Sequence, residues 1–129
     1  MTFLQIHHVS LTTRDLAKSR RFYREVLGLS EIARPPFPFD GAWFQLGETQ
    51  QLHLIANEEG SYRPPKINTK DVHFALRVPN YMAALELLRA RGVRDDEMVI
   101  NPRATAGFPQ LYVLDPDNHV IEINAERLD

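Results

Sequence analysis

The sequence predicts an α+β fold of two βαβββ modules that together make a curved mixed sheet. Three observations predict it. One order of elements runs through the first half of the chain and runs again through the second. Apolar and polar residues alternate along the expected strands, as they do when one sheet face is buried. Gly28 and Gly92 also end the two expected helices at matched places.

In the first module, residues 4–12 alternate as a strand. Asp15 then caps a helix that runs to Leu27, with Leu16, Ser19, Phe22, Tyr23, Val26 and Leu27 at helical spacing. Gly28 stands where a left-handed C-terminal cap is expected. The stretch from Arg34 to Gly41 holds Pro35, Pro36 and Pro38 and reads as a loop. Ala42 to Leu46 and Gln51 to Ala56 form a hairpin around Gly47-Glu48. The module therefore covers residues 1–58, and residues 59–70, polar and carrying Pro64 and Pro65, form a linker.

The second module covers residues 71–129. Val72 to Val78 is its first strand, and Pro79 opens a helix that turns Met82, Leu85 and Leu88 inward and stops at Gly92. Met98 to Ile100 is a short strand. Gln110 to Leu114 and His119 to Asn124 pair across the turn Asp115-Pro116-Asp117-Asn118.

Composition narrows the function. With 129 residues, 43% of them hydrophobic and 25% charged, the chain reads as an ordinary soluble globule of one fold unit. A net charge of −2 gives no reason to expect nucleic acid or an anionic membrane as partner. No segment is long and apolar enough to span a bilayer. Cysteine is absent, which rules out disulfides, thiolate metal sites and a Cys nucleophile, and fits a cytoplasmic location.

The alternation also sorts the chemistry-bearing residues by face. Val9 and Leu11, Leu52 and Leu54, Phe74 and Leu76, and Ile121 and Ile123 face the helices. His8, His53, His73 and Glu122 then face the other way, one from the first and one from the last strand of each module. Three imidazoles and a carboxylate on one curved sheet make a metal-binding cleft for a divalent cation. His7, beside His8 on the strand, points to the opposite face; it and His119 are left outside the ligand set.

The run His8-Val9-Ser10-Leu11, Asp15 to Ser19, Phe22-Tyr23 and Leu27-Gly28 resembles the opening of the vicinal oxygen chelate superfamily, which holds glyoxalase I, fosfomycin- and bleomycin-resistance proteins and extradiol dioxygenases. Val72 to Leu76 and the hairpin from Asp115 to Glu122 carry the same resemblance, which extends over nearly the whole chain. Phe39 to Trp43 and Gln51 to Ile55 look most like its glyoxalase-like, or lactoylglutathione lyase-like, branch. The resemblance puts the metal positions on His8, His53, His73 and Glu122. In bacterial glyoxalase I the second position is typically Glu, so this chain has one carboxylate where that enzyme has two. His8, His73 and Glu122 alone also match the two-His-one-carboxylate pattern of non-haem iron enzymes.

The resemblance implies a metal-dependent lyase or isomerase that chelates vicinal oxygens of a small-molecule substrate and stabilises an enediolate-type intermediate. The metal is nickel, cobalt, zinc, manganese or iron. Glu122 is the candidate base. Trp43, Gln45, Arg103, Phe108 and Tyr112 are candidates for lining the substrate pocket, with Arg34 and Arg77 as further cations that read equally as solvated surface. Proteins of this fold often form homodimers, with ligands drawn from one chain or two. The alternatives are a ring-cleaving oxygenase or an epoxide-opening thiol transferase on the same fold, and a non-catalytic drug-binding protein.

Overall fold

The computed structural model describes residues 1–60 and 62–129; Ser61, inside the expected linker, lies outside the described residues. The chain divides into two compact units, Met1–Tyr62 and Arg63–Asp129, and each holds one βαβββ module.

In the first unit the strands are β1 (His8–Thr13), β2 (Glu31–Ile32), β3 (Gly41–Leu46) and β4 (Gln50–Ala56), ordered β1-β4-β3-β2. β1 runs parallel to β4, and the other pairs are antiparallel. The parallel pair requires a crossover, and helix α1 (Leu16–Arg21) begins it. Asp15 caps α1 by accepting a hydrogen bond from the Lys18 amide at 3.1 Å. Beyond Arg21 the expected helix does not stay α-helical. Phe22–Val26 forms a wider turn, closed by Leu27 N–H on the Phe22 carbonyl at 3.1 Å. That turn carries Tyr23 into the core against Phe44, at 6.0 Å between rings. Gly28, at φ +76°, then reverses the chain.

The first strand begins four residues later than its alternation suggests. His7 still accepts a hydrogen bond from Gln51 N–H, but β4 starts at Gln50, so among the described residues the chain before His7 has no partner strand. Phe3, Leu4 and Ile6 are accordingly exposed. β2 belongs to the expected βαβββ order, but the sequence does not locate it, because two residues carry no period.

In the second unit β5 (His73–Arg77), β6 (Val99–Asn101), β7 (Gln110–Leu114) and β8 (Val120–Asn124) are ordered β5-β8-β7-β6, with β5 parallel to β8. Helix α2 (Tyr81–Ala90) is capped not by Pro79 but by the Asn80 side chain, which accepts from Ala83 N–H at 2.9 Å. Its buried positions are Tyr81, Leu85 and Leu88, whereas Met82 is 40% exposed. Starting the helix two residues after Pro79 rotates the apolar stripe onto Tyr81, whose hydroxyl donates to the Gln110 carbonyl at 2.9 Å. The helix ends in a Schellman motif: Val93 N–H meets the Leu88 carbonyl and Gly92 N–H the Arg89 carbonyl, with Gly92 at φ +92°. Glu86, Arg89 and Arg91 are exposed, and Arg89 grips Asp95 through two hydrogen bonds of 2.7 and 2.8 Å.

Both sheets are open, and each has one face built from the expected apolar set. Leu52, Leu54, Ile121 and Ile123 are buried, as are Phe44, Leu111 and Val113. The register places His8, Trp43 and His53 on the opposite face of the first sheet, and His73, Tyr112 and Glu122 on the corresponding face of the second.

Candidate metal centre

The four expected ligands are found as two pairs, one in each unit. Among the described residues no group of three or more His, Asp or Glu side chains gathers into a metal-holding cluster.

The second unit holds His73 and Glu122. The parallel register of β5 and β8 sets Ala75 beside Glu122, and the small side chain leaves the carboxylate free to face His73. His73 Nδ1 lies 2.7 Å from the Asp71 carbonyl oxygen, which only accepts, so Nδ1 is the donor of this bond. Nε2, the other ring nitrogen, lies 3.6 Å from Glu122 Oε2. A carbonyl that fixes the tautomer of an imidazole in this way is the usual support behind a metal-ligating histidine.

Glu122 is buried, at 6% exposure, and its other oxygen accepts a hydrogen bond from the Gln110 side-chain amide. Tyr112, its partner on β7, also hydrogen bonds to it. Burial first, and then the Glu122 charge and that bond, push the Tyr112 hydroxyl above its ordinary range, so it remains a phenol and a donor. The Tyr112 ring also meets the His73 ring edge-on at 5.6 Å.

The first unit holds His8 and His53. His53 is buried between two rings: Trp43 is stacked at 3.9 Å and 3° on one side, and His8 at 4.1 Å and 17° on the other. Burial, followed by the charges of His8, His7 and Arg34, lowers the His53 pKa from 6.5 to about 4, so the ring is neutral at pH 7. His53 Nε2 bonds Gln51 Oε1 at 2.8 Å, and His8 Nδ1 bonds His7 Nδ1 at 2.9 Å. Stacked imidazoles direct their lone pairs side by side, because each lone pair lies in its own ring plane. One ring must therefore turn about its Cβ–Cγ bond before both can meet one ion.

The donor types fit a divalent cation: three imidazoles, of which His53 is neutral at pH 7, and a single buried carboxylate. Neutral rings bind a metal without first losing a proton.

The remaining expected residues fall into different places. Trp43 packs on His53. Gln45 shares that face, but its amide donates to the Gly47 and Glu48 carbonyls at 3.1 and 2.8 Å and so holds the β3–β4 turn. Phe108 lies under the Arg77 guanidinium at 5.0 Å, and Arg77 Nε in turn bonds Asn124 Oδ1. Arg103 is exposed in the loop between β6 and β7. Sequence reasoning missed Gln110 and Asp71. Gln110 was within reach, since it precedes Tyr112 by two and so shares its face. The Asp71 contribution is a backbone carbonyl, which no side-chain pattern announces.

The comparisons with known proteins bear on the family and the fold. Residues 5–123 match the model of the Glyoxalase/Bleomycin resistance protein/Dioxygenase superfamily. The chain is 32% identical over 121 residues to Glyoxylase I 4 of Arabidopsis thaliana, covering 92% of this chain and 68% of that one. It is 30% identical over 125 residues to the glutathione transferase FosA of Serratia marcescens, covering 95% and 82%. Among solved structures, a glyoxalase family protein from Bacillus anthracis superposes with a TM-score of 0.79 at 23% identity, covering 97% and 98% of the two chains.

Proposed function

Because the chain belongs to the glyoxalase/bleomycin resistance/dioxygenase superfamily, we propose that it is a divalent-metal-dependent lyase or isomerase of glyoxalase type. Its substrate is a small molecule with two neighbouring oxygens, and His8, His53, His73 and Glu122 hold the ion. The observation that carries this reading is the second-unit pair, in which His73 Nε2 lies 3.6 Å from a buried carboxylate while the Asp71 carbonyl holds the other ring nitrogen.

The bound ion supplies Lewis acidity, favouring the ionised form of a substrate oxygen next to the carbon that loses its proton. Glu122 takes that proton at Oε2, the oxygen turned toward His73. Gln110 occupies Oε1, so the carboxylate keeps one orientation through the transfer. Tyr112 supplies a neutral donor beside it and helps to exclude water. The Asp71 carbonyl, bonded to His73 Nδ1, holds the ring beside Glu122, where its other nitrogen would help to hold the ion.

Protein purified without chelator is expected to carry a divalent metal and to turn over a hemithioacetal of glutathione. A protein without metal that also fails to rebind it as apo-protein refutes the reading. Glu122→Gln is expected to lose turnover far more completely than metal affinity; unchanged turnover removes Glu122 as the base. A second reading, a metal-dependent thiol transferase, is supported by the likeness to a relative named a glutathione transferase. Adduct formation between glutathione and an epoxide, without hemithioacetal turnover, selects it.

We also propose a homodimer, supported by the exposed apolar residues Phe3, Leu4 and Ile6; a monomer in sedimentation refutes it. A cytoplasmic setting is supported by the absence of cysteine. Among the described residues no helix is long and apolar enough to cross a membrane.

A further inference from the structure

Within the second unit, a cleft of about 580 Å³ lies between the segment 63–71 and the sheet edge. That volume is in the range of small-molecule sites. Its walls are pre-formed. The Arg63 guanidinium reaches Asp71 Oδ2 at 3.5 Å and the Val72 carbonyl at 3.4 Å, which closes the segment into a loop. Asn118, at the β7–β8 turn, donates its side-chain amide to the Arg63 carbonyl at 2.9 Å and ties the loop to the sheet. Within the loop, Asp71 N–H bonds the Asn68 carbonyl at 3.0 Å and Lys70 N–H bonds Asn68 Oδ1 at 3.0 Å.

The lining divides by chemistry. Val99, Val120 and the half-buried Ile67 are apolar, while Arg63, Lys66 and Lys70 are cationic. Asp71, the one acid in the lining, is already paired with Arg63. Neither Lys66 nor Lys70 has an acidic partner among the described residues. A pre-formed cleft with an apolar floor and two uncompensated ammonium groups is complementary to an anion with an apolar body.

We propose that this cleft binds an organic anion, with its carboxylate or phosphate at Lys66 and Lys70 and its apolar body on Val99 and Val120. The cleft adjoins the reaction centre, because Val120 is the register partner of His73 and Asp71 holds the His73 ring through its carbonyl. That the anion is the substrate rests on the proposed function; that the cleft holds such an anion does not.

The test uses metal-free full-length protein and three probes: phenylphosphonate, phenylacetate and uncharged benzamide, followed by amide NMR shifts. The anions are expected to shift Ile67, Val99 and Val120, and benzamide to bind at least about tenfold more weakly. The exposed pair Lys66→Gln/Lys70→Gln is expected to weaken anion binding about tenfold and to make its dependence on salt shallower, with divalent-metal affinity unchanged. The tighter of the two anions assigns phosphate or carboxylate as the preferred group. Equal binding of benzamide, equal binding by the double variant, or shifts confined to other residues overturns the proposal. A protein that binds the anions here but never a metal refutes the proposed function and leaves this site standing.

Discussion

Removing the Gln110 amide tests whether Glu122 is a charged group held in place by neutral donors. The carboxylate is buried, and Gln110 and Tyr112 both donate hydrogen bonds to it. Gln110→Leu takes away one of the two. A hydrogen bond to a charged group contributes about 1.5–3 kcal/mol, so the variant is expected to lose about 2 kcal/mol at pH 7. With Glu122→Leu already in place there is no charge left to orphan, and adding Gln110→Leu is then expected to change stability by less than about 0.5 kcal/mol. The assay is urea unfolding of the four metal-free proteins of the cycle, followed by circular dichroism. An equal loss in both backgrounds refutes the reasoning, because it makes the loss one of packing and not of charge solvation.

Three further outcomes follow from the geometry. His53 is neutral in the folded protein down to about pH 4 but protonates near 6.5 when unfolded, so stability is complete above 6.5 and falls as the pH drops toward 4, by up to about 3 kcal/mol. His53→Phe is expected to flatten that part of the pH–stability curve in denaturant titrations, and an unchanged slope would falsify the assignment. Asn80→Ala removes the cap of α2 and is expected to lower stability by about 1 kcal/mol, read as a shift in the thermal midpoint. In Gly41→Ala the added Cβ meets the Leu54 carbonyl oxygen across the β3–β4 pair, with the Arg34 guanidinium behind it. A loss of about 2 kcal/mol or more is expected from chemical unfolding.

The parts of the fold that were legible in the sequence are those where one periodicity governs several residues. Leu52 and Leu54, or Ile121 and Ile123, announce a buried face, and the residues between them then belong to the other one. His53 and Glu122 were placed by that logic alone. It failed where the strand itself stopped. His7 was assigned to the face opposite His8, yet the two rings touch, because β1 begins at His8 and residue 7 is not bound by the pleat. Met82 was misplaced for a related reason: the helix starts at Tyr81, one residue past a polar cap, and not at Pro79. Gln45 shares the face of Trp43, but alternation says nothing about which carbonyls an amide will find, and the nearby turn took it. The stack of Trp43, His53 and His8 depends on three strands coming into register, which only the assembled sheet can show.

That stack has a practical consequence. The chain contains a single tryptophan, and its indole lies flat against His53 at 3.9 Å. Its emission therefore originates at one place in the molecule, and a protonated imidazole in contact with an indole quenches it. The protein thus carries its own unlabelled optical reporter, free of other emission when the indole is excited selectively over the four tyrosines. Any event that charges His53 or turns it away from the indole is recorded as a change in intrinsic fluorescence.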